Sequence, residues 1–162
     1  MIKTAIVTIS DKGSKGERKD ETGKVLQDIL EKEGYKVEEY KIIPDEINII
    51  SEELIKLCDE KKVNLIITNG GTGFSKRDVT PEATEKVIEK HVPGFGEAMR
   101  ASSLYITPKA ILSRGIAGIR KDSLIINLPG SPKAAVENLQ AVLGAIPHGI
   151  EILLGEASEC AR

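Results

Sequence analysis

The segment Leu65–Thr84, LIITNGGTGFSKRDVTPEAT, decides how the chain is read. It opens on a run of branched apolar residues, passes through three glycines and a charged stretch, and ends in PEAT. There Pro81 takes a first helical position behind Thr80 as N-cap. The pattern predicts a buried strand, a loop at its carboxyl end and a helix, which is the repeating unit of a sheet with parallel strands.

The same unit recurs on both sides. Upstream, Ile2–Ile9 is a β-branched run, SDKGSKGERKDETG is a polar loop, and KVLQDILEKEG sets Val25, Leu26, Ile29 and Leu30 at helical spacing before Gly34. YKVEEYKIIP reads as a second strand stopped by Pro44, and INIISEELIKLCDEKK as an amphipathic helix leading to the strand VNLIIT. Downstream, PEATEKVIEK begins as a helix and PGFGEAMRASSLYI turns into another. GIAGIRKDSLIINLPG supplies two strands joined at Lys121-Asp122. SPKAAVENLQAVLGAI is a helix entered at Ser131 and Pro132, and HGIEILLGE is a last short one. Right-handed crossovers then give a three-layer α/β/α sandwich around a mostly parallel sheet, with residues 1–162 as one domain.

Composition narrows the function classes. A chain of 162 residues, 40% of them hydrophobic, can bury one sizeable core. Its 23 basic and 25 acidic side chains are dispersed, so no broad electropositive face for nucleic acid or membrane is signalled. The absence of an aromatic stripe argues against single-strand nucleic-acid binding. No apolar run reaches the roughly 20 residues that span a bilayer. MIKTAIVTIS lacks the apolar region of a signal peptide, and the expectation is a soluble cytoplasmic protein. Cys58 and Cys160 lie far apart without metal-ligand spacing, and each is expected to be inert.

Glycines after a parallel strand let the backbone approach a guest, and ligands of open α/β sheets bind beyond the strands' carboxyl ends. TNGGTG, with Gly70, Gly71 and Gly73, is therefore a candidate anion loop, although it has neither Walker nor dinucleotide spacing. Asp78 follows in the same loop, and Asp45 follows the second strand in IIPDE. A carboxylate beside phosphates calls for a cation between them, and Mg²⁺ suits one or two carboxylates plus phosphate oxygens. Against this, Asp45 can cap the helix that follows it, and Asp78 can pair with Arg77. The exit NLPGSP, with Pro129, Gly130 and Ser131 at a helix start, and the exit TISDKGSKG, with Ser10 and Asp11, complete four polar strand ends that point together to a nucleotide or phosphorylated ligand. His91 and His148 have no partner at catalytic spacing, and Arg100 and Arg114 read as salt-bridge residues or phosphate clamps.

In this order SDKGSKGERKDETG, IIPDE, TNGGTGFSKRDVTPEAT, PGFGEAMR, AILSRG, LIINLPGSPKAAVENL and IPHGIEIL resemble the molybdopterin adenylyltransferase family of the MogA and MoaB type, over nearly the whole chain. The resemblance implies transfer of AMP from ATP to the terminal phosphate of molybdopterin in molybdenum-cofactor synthesis, with release of pyrophosphate. It implies functional carboxylates at Asp45 and Asp78, which would share the Mg²⁺, and a phosphate loop of Thr68, Gly70, Gly71, Thr72 and Gly73. It further implies trimers, or hexamers in some members, and a possible molybdenum-inserting partner. Lys76 is a departure, since many relatives carry proline or another residue before Arg77. Two other readings stay open: a molybdopterin-binding or scaffold module without catalysis, and a CinA-like nucleotide-processing domain.

Overall fold

A computed structural model of the chain describes residues 1–157, and Cys160 lies outside them. Six strands form one sheet among the described residues: β1 (Lys3–Ile9), β2 (Lys36–Ile43), β3 (Leu65–Asn69), β4 (Lys90–His91), β5 (Ala117–Arg120) and β6 (Ser123–Leu128). Their order is β2-β1-β3-β6-β5-β4. The first four in that order run parallel, with Val7 opposite Thr68 and Thr68 opposite Asn127. β5 turns back antiparallel on β6 through Lys121, which takes a left-handed φ of 49°, and β4 pairs antiparallel with β5.

The helices are α1 (Asp11–Ser14), α2 (Glu21–Lys32), α3 (Ile47–Asp59), α4 (Thr80–Glu85), α5 (Pro93–Leu104), α6 (Pro132–Val142) and α7 (Ile146–Leu153). Successive strand residues point to opposite faces. Ile6, Leu65, Ile67, Leu124, Ile126 and Leu128 accordingly pack with Leu26 and Leu30 of α2 and with Leu139 and Ile150 of α6 and α7. Ala5, Val7, Ile66 and Ile125 pack on the other face with Ile50, Leu54 and Leu57 of α3 and Ala83 of α4. β3 and β6 are buried at every position, which is why they read as continuous apolar runs rather than alternating ones. The three-layer reading therefore holds.

The chain leaves β1 through α2 to β2, then returns through α3 on the opposite face to β3, on β1's other side. Where the winding reverses, the carboxyl ends of β1 and β3 diverge into a crevice. Three local expectations need correction. The loop after β1 contains α1, started by the Ser10 hydroxyl accepting from the Gly13 N–H. α2 begins at Glu21, three residues before the apolar pattern, because Asp20 caps it by accepting from Gly23 N–H at 2.9 Å. PEATEKVIEK stays helical only to Glu85, since Lys90–His91 pairs with β5, and Val79 rather than Thr80 holds the cap position. The Thr80 hydroxyl instead donates to the Gly70 carbonyl at 2.9 Å.

Candidate active site

Three strand exits meet with no room for side chains. Gly70 has a φ of 100° and Gly71 a φ of 68°, both in the left-handed region that glycine adopts without penalty. A Cβ on Gly70 would overlap the Ile9 carbonyl, and one on Gly71 would overlap the Thr80 hydroxyl and come within 3.2 Å of Asp45 Oδ1. A Cβ on Gly130 would lie 3.3 Å from Gly70 Cα. The Gly70 N–H is closed by the Leu128 carbonyl at 3.1 Å, so this turn shapes a wall and that donor is already engaged.

Beside the wall lies a cleft of about 590 Å³. Ser10, Asp11, Asp45, Gly70, Gly71, Asp78, Gly130 and Ser131, all read from the sequence as site residues, line it. Thr68, Thr72, Gly73 and Pro129 do not. Thr68 is fully buried, its hydroxyl accepting from the Asn127 amide at 3.0 Å, because the pleat turns it into the sheet. The Thr72 carbonyl accepts from the Arg114 N–H, and Gly73 supports Asp78 from behind: a Cβ there would lie 2.9 Å from Asp78 Oδ2.

Two loops clasp each other at the centre. Asp45 Oδ2 accepts from the Asp11 N–H at 2.8 Å, and Asp11 Oδ1 accepts from the Asp45 N–H at 3.1 Å. α3 is preceded by Glu46 with no side-chain cap, so Asp45 does not cap it. Burial, and then the like charges of Asp11 and Asp78, push the Asp45 carboxyl above its ordinary range, against the Asp11 N–H and the more distant Arg77. Arg77 grips Asp11 with two bonds of 3.0 Å and Glu46 with one of 2.8 Å, which draws the Asp11 carboxyl below its ordinary range. The expected Arg77–Asp78 pair is therefore absent. Asp78 Oδ2 accepts from the Ser75 N–H at 3.0 Å.

Arg114 is a brace. It donates to the Gly73 carbonyl at 2.8 Å and the Asp78 carbonyl at 2.9 Å, and it pairs with Glu82. Arg100 donates to the Gly115 carbonyl at 2.8 Å instead of forming a salt bridge. His91 pairs with Glu85 and His148 with Glu151, away from the cleft.

Sequence reasoning missed the cleft's other wall. Arg18, Lys19, Asp20 and Thr22 line it from the start of α2. Thr22 donates to the Gly130 carbonyl at 2.7 Å, and Asp20 Oδ2 accepts from Thr8 Oγ1 at 2.5 Å and from the Tyr40 hydroxyl. Asn69 donates to the same Thr8 oxygen at 3.0 Å. Burial and the bond to Asp20 raise the Tyr40 phenol far above its ordinary value. The available signal was the pattern Asp20-x-x-Gly23, a helix cap directly after a strand exit.

The donor set suits a hard cation shared with a ligand. Among the described residues no group of three His, Cys, Asp or Glu side chains forms a complete metal site. Asp45 and Asp78 face one cleft without a cationic hydrogen-bond partner among the described residues, which is the protein share that Mg²⁺ takes when phosphate oxygens and water supply the rest. The starts of α2 and α6, capped by Asp20 and Ser131, bring their positive dipole ends to the same space.

Residues 5–148 match the family described as "Probable molybdopterin binding domain". The chain is 50% identical over 160 residues to the molybdopterin adenylyltransferase of Helicobacter pylori, covering 95% of this chain and 89% of the relative. It is 43% identical over 156 residues to the enzyme of that name from Escherichia coli, covering 92% and 80%. Among solved structures, the molybdopterin biosynthesis enzyme MoaB of Thermus thermophilus is similar with a TM-score of 0.92 at 45% identity, covering 98% of this chain and all of that one.

Proposed function

The chain belongs to the molybdopterin-binding domain family, and from that premise we propose that it is a molybdopterin adenylyltransferase, a single domain over residues 1–162 that moves AMP from ATP to the terminal phosphate of molybdopterin in molybdenum-cofactor synthesis. One observation carries the site assignment. Asp45 and Asp78 leave different strands, yet both line the one cleft beside the Gly70–Gly71 wall.

The chemistry needs no protein nucleophile. Among the described residues neither histidine nor cysteine lines the cleft, and the Ser10 and Ser131 hydroxyls are engaged as helix caps. A phosphate monoester is already ionised at neutral pH, so its oxygen attacks the α-phosphorus directly. As that bond forms, the bond from the α-phosphorus to the bridging oxygen breaks, and pyrophosphate leaves with the electron pair. Positioning and charge then do most of the catalysis. Asp45 and Asp78 would hold Mg²⁺, which offsets the charge on the phosphate oxygens. Lys12, Arg18 and Lys19 and the starts of α2 and α6 draw phosphates into the cleft, and Arg114 keeps the Asp78 loop in place.

Assembly into trimers or hexamers, a molybdenum-inserting enzyme as recipient of the product, and a cytoplasmic location belong to the same proposal. Exposed apolar side chains support the assembly: Tyr105 is 94% and Ile111 65% accessible at the end of α5 and in the 3₁₀ turn Pro108–Leu112. In the C-terminal segment IEILL, Ile150 enters the core while Ile152 stays 45% accessible and can join the same contact.

The test is anaerobic incubation with molybdopterin, ATP and Mg²⁺, following adenylyl-molybdopterin by mass. The wild type should form product, and Asp78→Asn should slow it by about 100-fold or more with an unchanged melting temperature. Normal turnover by Asp78→Asn would overturn the site assignment. A folded wild type that binds molybdopterin and makes no product would establish the binding-module reading instead.

A further inference from the structure

A second groove, of about 1020 Å³, opens between the starts of α3 and α4. It shares Asp11, Asp45 and Arg77 with the first cleft, so these residues form a ridge with a depression on either side. The first cleft reaches over the face covered by α2 and α6, and the second over the face covered by α3 and α4. The two differ in charge. Four basic and five acidic side chains line the first cleft, whereas Lys15, Lys76, Arg77 and Lys86 outnumber Asp11, Asp45 and Glu46 in the second. Arg77 already occupies Asp11 and Glu46, and among the described residues Lys76 and Lys86 form no ion pair. Lys15 forms no ion pair among these residues either but acts on Asp11, so Lys76 and Lys86 are the two cations of the groove with no acid committed to them.

In-line displacement puts the attacking and leaving oxygens on opposite sides of the phosphorus. A phosphorus held at the Asp45 ridge therefore has its two partners in different depressions. We propose that the second groove binds the β,γ-diphosphate of the nucleotide donor and releases it as pyrophosphate, with Lys76 and Lys86 as its principal contacts, while the acceptor phosphate approaches from the first cleft. This rests on the adenylyl-transfer reading above. The leaving group is the most highly charged fragment of the reaction, and the basic, more open groove is the one suited to hold and discharge it.

The test titrates inorganic pyrophosphate with Mg²⁺ into the full chain by calorimetry. It compares the wild type, Lys76→Ala/Lys86→Ala, the charge-retaining Lys76→Arg/Lys86→Arg, and a control, Lys32→Ala/Lys56→Ala, in the exposed last turns of α2 and α3. The alanine pair should weaken pyrophosphate binding about tenfold and raise the KM for ATP similarly, with the arginine pair and the control staying within about twofold. The KM for molybdopterin should not follow. Equal pyrophosphate affinity in the alanine pair and the wild type overturns the groove, as does an active wild type that binds no pyrophosphate. Pyrophosphate bound through Lys76 and Lys86 by a chain that makes no adenylyl-molybdopterin refutes the adenylyl-transfer reading while upholding the groove as a diphosphate site.

Discussion

Asp45 sets function against stability within one side chain. Its carboxyl is pushed up by burial and by two neighbouring acids, so the folded protein holds the proton more tightly than the unfolded chain does. The folded state therefore loses stability as pH rises through the Asp45 titration, and at neutral pH the ionised group opposes folding. Asp45→Asn can still accept from the Asp11 N–H. It should stabilise the protein slightly at pH 7, since solvent screens much of the penalty at this part-exposed site, with the gain fading as pH falls through the carboxylate range, while abolishing adenylyl transfer. Melting curves across pH 4–8 would check the stability, and the adenylyl-molybdopterin assay the loss of transfer. Gly71→Ala should do the reverse of stabilising: its Cβ meets Thr80 and crowds Asp45 in a left-handed backbone, for a loss of about 1–3 kcal/mol by chemical denaturation. Asp45 and the glycines were legible because they closely follow strand ends, and Asp78 because it lies in the loop that joins β3 to α4. Arg114 was legible as a salt-bridge residue, borne out by Glu82, but its brace on the Asp78 carbonyl 36 residues away and the grip of Arg77 on Asp11, 66 residues away, are introduced only by the fold.

At the scale of elements, the start of α2 matters most. Asp20 caps the helix with one oxygen and gathers Thr8 and Tyr40 with the other. Asp20→Ala should cost about 2–4 kcal/mol in urea unfolding, more than a cap alone, because two polar groups of low exposure lose their acceptor together. Asp20→Asn should recover most of it. Spacing alone could place α2, α3 and α6, whose apolar stripes are regular. It could not reveal β4, a pair of exposed residues whose strand identity exists only through pairing with β5, nor the early end of α4. Those boundaries are set by tertiary pairing rather than by local propensity.

Over the whole molecule, the layer order and the parallel block followed from alternating patterns, and the direction of β5 from the turn at Lys121. What the pattern could not supply was the destination of the exposed apolar residues, which one chain leaves uncovered. If they are a subunit contact, Tyr105→Asp/Ile111→Asp should convert the assembly to monomers in light scattering with little change in far-ultraviolet circular dichroism. The same substitutions in a chain that is already monomeric would leave its mass unaltered and discard the trimer.

The place of β6 has a consequence for the growing chain. β1, β2 and β3 leave the ribosome early, but the free edge of β3 waits for Ser123–Leu128 before it is paired. At about 5–20 residues per second, that is a delay of roughly 3–10 seconds during which an apolar strand has an open edge. The Gly70 turn waits as well, because its N–H is held by Leu128. A nascent chain stalled before Leu128 is thus both inactive and prone to aggregate, and the step that removes the hazard also completes the wall of the cleft.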